Sequence, residues 1–139
     1  MTGALTMATF MIAGTILAEA DNTKESREAV AQVIACRMKE SGRTSIDIIL
    51  QRRQFCCWDR GTVPMMKRIE RFEKNNSYAW REAKEMAGRI ITGVYPVPEN
   101  AFNHFYKPGV GPKPAWAREM TGVKKIGSQY FGHLDSWRK

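Results

Sequence analysis

The chain has 139 residues, 43% hydrophobic and 10% aromatic, with a net charge of +8 at pH 7. That is the length of one ordinary domain with enough apolar content for a core, which excludes a disordered chain or a fibrous repeat. No apolar run reaches the ~18–20 unbroken residues of a membrane span, so none is expected.

Charge is spread unevenly. Residues 1–35 hold Glu19, Asp21, Glu25 and Glu28 against Lys24 and Arg27, a balance of −2, so the remainder carries +10. A basic surface of this kind favours polyanions, whether nucleic acid or the anionic polymers of a cell envelope, and charge alone does not choose between them.

In chain order, Leu5, Ala8, Ile12, Ile16 and Glu19 fall on one face of a 3.6-residue period, which predicts a helix over Ala4 to Ala20. Glu19 prolongs the apolar stripe. Ala18-Glu19-Ala20 also has the small-x-small form of a signal-peptidase site. The first lysine, Lys24, comes after it, and Thr2, Thr6, Thr9 and Thr15 interrupt the apolar run, so no secretion signal is expected. Asn22 to Glu25 has the form of a capping box opening a second helix, with Ala29, Val30, Val33, Ile34 and Arg37 inward and Gly42 as its stop. A short third helix is expected from Ser45 to about Gln51.

Residues 52–64 read as a loop carrying Phe55 and Trp58, and Pro64 suits the first turn of a helix bearing Met65, Ile69 and Phe72. Asn75, Asn76 and Ser77 break it and cap a further helix, with Ala79, Ala83, Met86, Ala87 and Ile90 inward and Gly93 at its end. After Pro96 the texture turns to proline-bounded loops and short strands rich in aromatics, with one helical turn near Trp116. These elements predict a mainly helical α+β fold, one domain over residues 1–139 with a small irregular or β part last.

The chemistry-bearing residues are few. His104 and His133 lack metal-ligand spacing, and Cys36, Cys56 and Cys57 give neither a disulfide framework nor a zinc signature. Reduced thiols, no metal and no cofactor are therefore expected. A thiol nucleophile at Cys56 or Cys57 with His104 as base is one alternative, which would make a cysteine amidase or peptidase. A nucleic-acid-binding protein that stacks bases on its aromatics is another. A carboxylate acid is the third: cleaving a glycosidic bond needs a proton on the leaving oxygen, and a carboxyl at the end of an apolar stripe is placed to hold one.

Several short motifs then follow in a fixed order. They are Ala18-Glu19-Ala20; Ala29-Val30-Ala31-Gln32-Val33 with Arg37; Gln54-Phe55 with Trp58; Ala83 to Gly93; His104-Phe105-Tyr106-Lys107-Pro108; Pro114-Ala115-Trp116; and Ile126-Gly127-Ser128-Gln129-Tyr130-Phe131. Together, over residues 15–132, they resemble the cell wall hydrolase SleB family of spore-cortex-lytic type. Two stretches depart from that pattern. Asp21-Asn22-Thr23 stands where the family has more glycine and acid, and Gln129 stands where it often has histidine.

The resemblance implies a lysozyme-like fold, the glycan strands of peptidoglycan as substrate, and Glu19 as the catalytic acid. It also implies lytic transglycosylase chemistry at the MurNAc–GlcNAc β-1,4 bond, ending in a 1,6-anhydro ring. Gln54, Phe55, Trp58, Tyr106 and Trp116 are expected to shape the groove, since aromatic faces stack on sugars. The basic remainder is expected to hold the enzyme to anionic wall polymers, with nucleic acid not expected as a partner. The expected location is the cytoplasm until release to the wall, in a manner consistent with a phage-encoded or virion-associated enzyme.

Overall fold

A computed structural model describes residues 3–51 and 54–138, and side chains within 6–51 and 54–137. Arg52 and Arg53 of the expected loop, and the side chain of Leu5 on the expected stripe, lie outside the described residues. Five helices come first: α1 (Gly3–Glu19), α2 (Lys24–Ser41), α3 (Ser45–Leu50), α4 (Thr62–Asn75) and α5 (Tyr78–Ile91). Three strands follow, β1 (His104–Tyr106), β2 (Thr121–Ile126) and β3 (Gln129–His133), forming an antiparallel sheet with β3 in the middle. The protein is thus a mainly helical α+β fold. No helix among the described residues is long and apolar enough to cross a membrane.

The helix α1 is the centre of the core rather than an amphipathic outer helix. Residues 11–16 are all buried, with α2, α3, α4 and α5 packed around them. Its composition explains this, because a helix apolar on every side has no face to give to water. The polar Thr15 is accommodated by donating its hydroxyl to the Met11 carbonyl at 2.8 Å and accepting from the Trp58 indole at 2.8 Å. Gly14 lets α4 approach closely: a Cβ there would sit 2.5 Å from Ile69 Cγ1. Around α1 pack Val30, Val33 and Ile34 of α2, Ile48 and Ile49 of α3, and Trp80, Ala83, Ala87 and Ile90 of α5. Each fully buried Ile or Val side chain contributes roughly 1.5–3 kcal/mol relative to exposure.

Local signals set the helix ends. Gly42 adopts φ 71° and donates to the Met38 carbonyl, closing α2 as expected. Asn76 at φ 45° ends α4, and the Ser77 hydroxyl accepts from Trp80 N to open α5. Two boundaries differ from the sequence reading. The N-cap of α2 is Thr23, whose hydroxyl accepts from Ser26 N at 3.2 Å, because Asn22 is drawn into the corner after α1. In addition α4 starts at Thr62, so Pro64 sits at its third residue, where no intrahelical N–H is required.

In the sheet, β3 pairs with β1 through Phe105–Phe131 and Tyr106–Tyr130, and with β2 through Ile126–Gln129. The period of two puts Gln129, Phe131 and His133 on one face, all buried, and Tyr130 on the other. Gln129 at one end of β3 and His133 at the other therefore both point into the protein.

His104 gives a measurable signature of this packing. Its ring lies edge-on to Trp116 at 4.8 Å, and its Nδ1–H donates to Asn103 Oδ1 at 3.0 Å. Burial, helped by the nearby Arg37 cation, lowers its pKa to about 3. The unfolded chain, with an ordinary histidine near 6.5, binds a proton that the folded state refuses. Its contribution to stability is therefore complete above pH 6.5 and lost as pH falls toward 3, at up to about 1.4 kcal/mol per pH unit. Urea unfolding across pH 4–7 should show this slope, and a His104→Phe variant should flatten it; an unchanged slope would remove His104 as its source.

Candidate active site

Glu19 is the last residue of α1, and a helix end leaves carbonyls without intrahelical partners. The Glu19 carbonyl is satisfied from a distance of 110 residues: Gln129 Nε2 donates to it at 2.7 Å. Gln129 is itself held, since Ser26 Oγ donates to its Oε1 at 3.0 Å and accepts from Asp21 N at 2.9 Å. One serine at the start of α2 thus fixes the turn after α1 and the glutamine that grips its end.

Asp21 adds a second tie. Its carboxylate accepts from Ser128 N at 2.6 Å and from Ser128 Oγ at 2.8 Å, with Lys107 Nζ at 3.6 Å. The Ser128 backbone N–H, supported by Lys107, holds the Asp21 carboxyl below the usual carboxylate range. Gly127 has φ 60°, and a Cβ there would run into Asp21 Oδ2. The β2–β3 turn needs glycine at this point for both reasons. The corner between α1 and α2 is therefore bolted to the sheet.

The half-buried Glu19 side chain turns toward the segment after α3. Its Oε1 accepts from Cys57 N at 3.0 Å, and its Oε2 lies 3.5 Å from the Cys56 thiol. The short turn Cys56–Trp58 that supplies this N–H is anchored by the Trp58 indole on Thr15 and by Phe55 in the core. The result is a carboxyl whose backbone and one oxygen are both fixed, with the other oxygen beside a thiol.

These surroundings bear on the cysteines. Burial, then the adjacent Glu19, pushes the Cys56 thiol up to about 11 and raises Cys57 further. Both are thiols at neutral pH, without the thiolate character a nucleophile needs. The suggested base, His104, is engaged with Asn103 and kept neutral by its burial. None of Cys36, Cys56 and Cys57 is in a disulfide.

The expected groove residues separate into two groups. Gln54 is half-buried in the turn, its N–H on the Gln51 carbonyl at 3.1 Å. Phe55 is only 1% exposed, packed 6.0 Å from the Phe105 ring and under the Arg37 guanidinium at 5.3 Å. A ring with that little surface offers a sugar no face, so Phe55 is a core residue. Trp58, 8% exposed, is likewise used from within. Tyr106 and Trp116 keep open surface: Tyr106 stacks on Tyr130 at 5.4 Å and meets Trp116 edge-on at 6.2 Å.

Tyr106, Tyr130 and Lys107 line a cavity of about 470 Å3 together with Pro108, Lys113 and Met120. Lys107 joins it to the corner through Asp21, two residues from Glu19. A larger cleft of about 850 Å3 lies between α2, α5 and the 95–98 segment, where Gln32, Arg81, Glu82, Arg89, Tyr95 and Lys124 face it; its lining does not include Glu19. Ser26 and the Cys57 amide were not marked by the sequence reading, and Ser128 and Tyr130 stood there only as members of the Ile126–Phe131 motif, with no role given. Gln129 was marked only as a departure from the family pattern, although it is the residue that holds Glu19.

The helical body and small sheet place the chain among mainly helical α+β proteins, and comparison with known families narrows this. Residues 21–132, from the corner after α1 to the fourth residue of β3, match the family model described as Cell Wall Hydrolase. The chain belongs to the cell wall hydrolase family. It is accordingly an enzyme of the cell wall, with a peptidoglycan-degrading role. The matched stretch begins two residues after Glu19, so it includes the residues that hold Glu19 and not Glu19 itself. No curated protein and no solved structure matches the chain.

The Gln129 bond makes a prediction of its own. Gln129→Leu keeps the volume but takes the donor from the Glu19 carbonyl and the acceptor from the Ser26 O–H, at a cost of about 1–3 kcal/mol for each buried group. We expect a lower melting temperature and a fall in kcat that exceeds any rise in KM. Unchanged turnover in the folded variant would remove Gln129 from the positioning of Glu19.

Proposed function

We propose that this chain cleaves the MurNAc–GlcNAc β-1,4 bond of peptidoglycan as a lytic transglycosylase, with Glu19 as acid and then base. The observation that carries the reading is the fixed Glu19: its main-chain carbonyl accepts from Gln129 and one carboxyl oxygen accepts from Cys57 N, in a chain of the cell wall hydrolase family. Glu19 gives its proton to the glycosidic oxygen as the bond to C1 breaks, and the GlcNAc side departs as an alcohol. The carboxylate then takes the proton of the muramyl 6-hydroxyl, whose oxygen bonds to C1 and closes the 1,6-anhydro ring. One carboxyl does both transfers, and water is not consumed.

The placement of Asp21 and Asp47 supports a single-acid mechanism. Asp21 is occupied by Ser128 and Lys107, and Asp47, at the start of α3, lines a separate small pocket that does not include Glu19. Tyr106 and Tyr130 form the sugar-stacking wall, with Trp116 edge-on to Tyr106 and Gln54 just ahead of the turn that meets Glu19. The cations Lys107 and Lys113 beside that wall suit an anionic polymer. The domain that does this is the whole chain, residues 1–139.

Mass analysis of muropeptides released from purified sacculi tests the chemistry. Anhydro ends are expected. Reducing ends would instead mean that water is the acceptor. That outcome would bring in exposed Asp59, close enough to Cys56 to raise its thiol, as the second carboxylate of a hydrolase.

A further inference from the structure

Away from Glu19, at the far end of β3, a different set of side chains converges. Cys36 and Glu40 are one turn apart on α2, so both face the same way, and His133 of β3 meets them there. Cys36 Sγ, a Glu40 carboxylate oxygen and a His133 ring nitrogen all lie within 4.8 Å of one another. Cys36 and His133 are buried, at 2% and 5% exposure. Exposed Asp135, just past β3, brings Oδ1 to 3.0 Å from His133 Nε2.

The tautomer of His133 is decided by its neighbour. Nδ1 lies 2.8 Å from the Ala101 carbonyl, which can only accept, so Nδ1 carries the hydrogen and Nε2 presents its lone pair to the cluster. Nε2 is buried and has no hydrogen-bond partner among the described residues, with Asp135 Oδ1 at 3.0 Å and Glu40 Oε2 at 3.6 Å. Lone pairs gathered in this way repel one another unless a cation sits between them. An imidazole whose second nitrogen is tied to a backbone carbonyl is also how metal-binding histidines are oriented. Glu40 is steadied similarly, its Oε1 accepting from buried Asn103 Nδ2 at 2.8 Å.

We propose that Cys36, Glu40 and His133, with Asp135 as the outer ligand, bind a zinc-type divalent cation that clamps α2 to the end of the sheet. One sulfur, one imidazole nitrogen and carboxylate oxygen form a borderline-soft set that selects zinc over calcium or magnesium. Charge supports the choice. Arg37, with its Nε on the Asn103 carbonyl at 2.6 Å, adds one positive charge beside the cluster. That charge and the two of the ion are balanced by the Cys36 thiolate, Glu40 and Asp135. On binding, Cys36 exchanges its S–H proton, now directed at the Ala101 carbonyl 3.8 Å away, for the metal, and the proton goes to solvent. Donors around tetrahedral zinc stand about 3.2–3.8 Å apart, so Cys36, Glu40 and His133 need to draw in by up to about 1 Å, and exposed Asp135 swings in to close the set. The site is structural and independent of the Glu19 chemistry.

Cobalt titration of the full chain tests it. We expect one equivalent to bind with a cobalt–thiolate absorption band, and saturating zinc to raise the melting temperature by about 5–10 °C, reversed by EDTA. Cys36→Ser should abolish the band, and Asp135→Asn, at an exposed position, should weaken binding at least tenfold while the fold is kept. A Cys56→Ser/Cys57→Ser double variant should retain the band. No band in the wild-type chain, or a band lost with Cys56 and Cys57 instead of Cys36, would overturn the proposal. So would a melting temperature indifferent to zinc and EDTA, which would leave His133 paired to its carboxylates by a proton alone.

Discussion

Glu19→Gln is expected to lower the rate of muropeptide release from purified cell wall by ~10²–10⁴-fold, the usual contribution of a positioned acid and base. That corresponds to about 3–5 kcal/mol of transition-state stabilisation. The substitution suits this chain because the side chain's structural work survives it. The Cys57 N–H donates to Oε1, and an amide oxygen accepts that bond as well as a carboxylate oxygen does. The Gln129 bond goes to the Glu19 main-chain carbonyl and is not touched. What disappears is the transferable proton. The variant should therefore melt within about 0.5 kcal/mol of the parent. Substantial turnover by the folded variant would take Glu19 out of the mechanism, and attention would shift to the carboxylates of the larger cleft. Alkylating Cys56 and Cys57 is a different experiment. A thiol so close to Oε2 would crowd the site when modified, so Cys56→Ser is the cleaner control and should leave the rate within a few-fold.

The helical part of this architecture was legible because its signals are local. Gly42, Ser77 and the apolar spacing of α2 and α5 each act within a turn or two of chain, and the fold has them where the sequence puts them. The α1 helix was legible in extent but not in role. A stripe through Leu5, Ile12 and Ile16 suggests one inward face, whereas Met11, Ala13, Gly14 and Thr15 between them are buried too. In the candidate site the sequence singled out Glu19, Tyr106 and Trp116 but none of the contacts that fix the corner. Its holders, Gln129, Ser128 and Lys107, reach it across more than 80 residues, and no period in the sequence records such a contact. Phe55 illustrates a further limit. An aromatic in an irregular segment has no neighbours at i+2 or i+4 to show its direction, so a ring destined for the core reads like a groove wall. Tyr130 was harder still, because its exposure follows from the register of β3 against β1, fixed by Tyr106 across the sheet.

The largest loss of stability from a single polar change is expected at Glu82. Its carboxylate sits 3.0 Å from Arg27 Nε, and the two side chains are only 10% and 7% exposed. Such a pair contributes little when intact, because bringing both charges out of water offsets most of their attraction. Removing one partner is another matter, since the remaining ion keeps the burial and loses the compensation. Glu82→Ala should cost about 3–5 kcal/mol, a fall in melting temperature on the order of 10–20 °C, and Arg27→Ala should cost a similar amount. The double variant Arg27→Met/Glu82→Leu should recover most of the loss, since it leaves no orphaned charge. The consequence for activity follows from position. Arg27 is adjacent to Ser26, which holds both Gln129 and the Asp21 backbone, and the pair ties that end of α2 to α5. Loosening it should weaken the grip on Glu19, so single-variant activity should fall with temperature well before the parent's does, and the double variant should restore both. Urea unfolding of the three variants decides the matter: single substitutions costing under 1 kcal/mol would mean that water reaches Arg27 once Glu82 is gone.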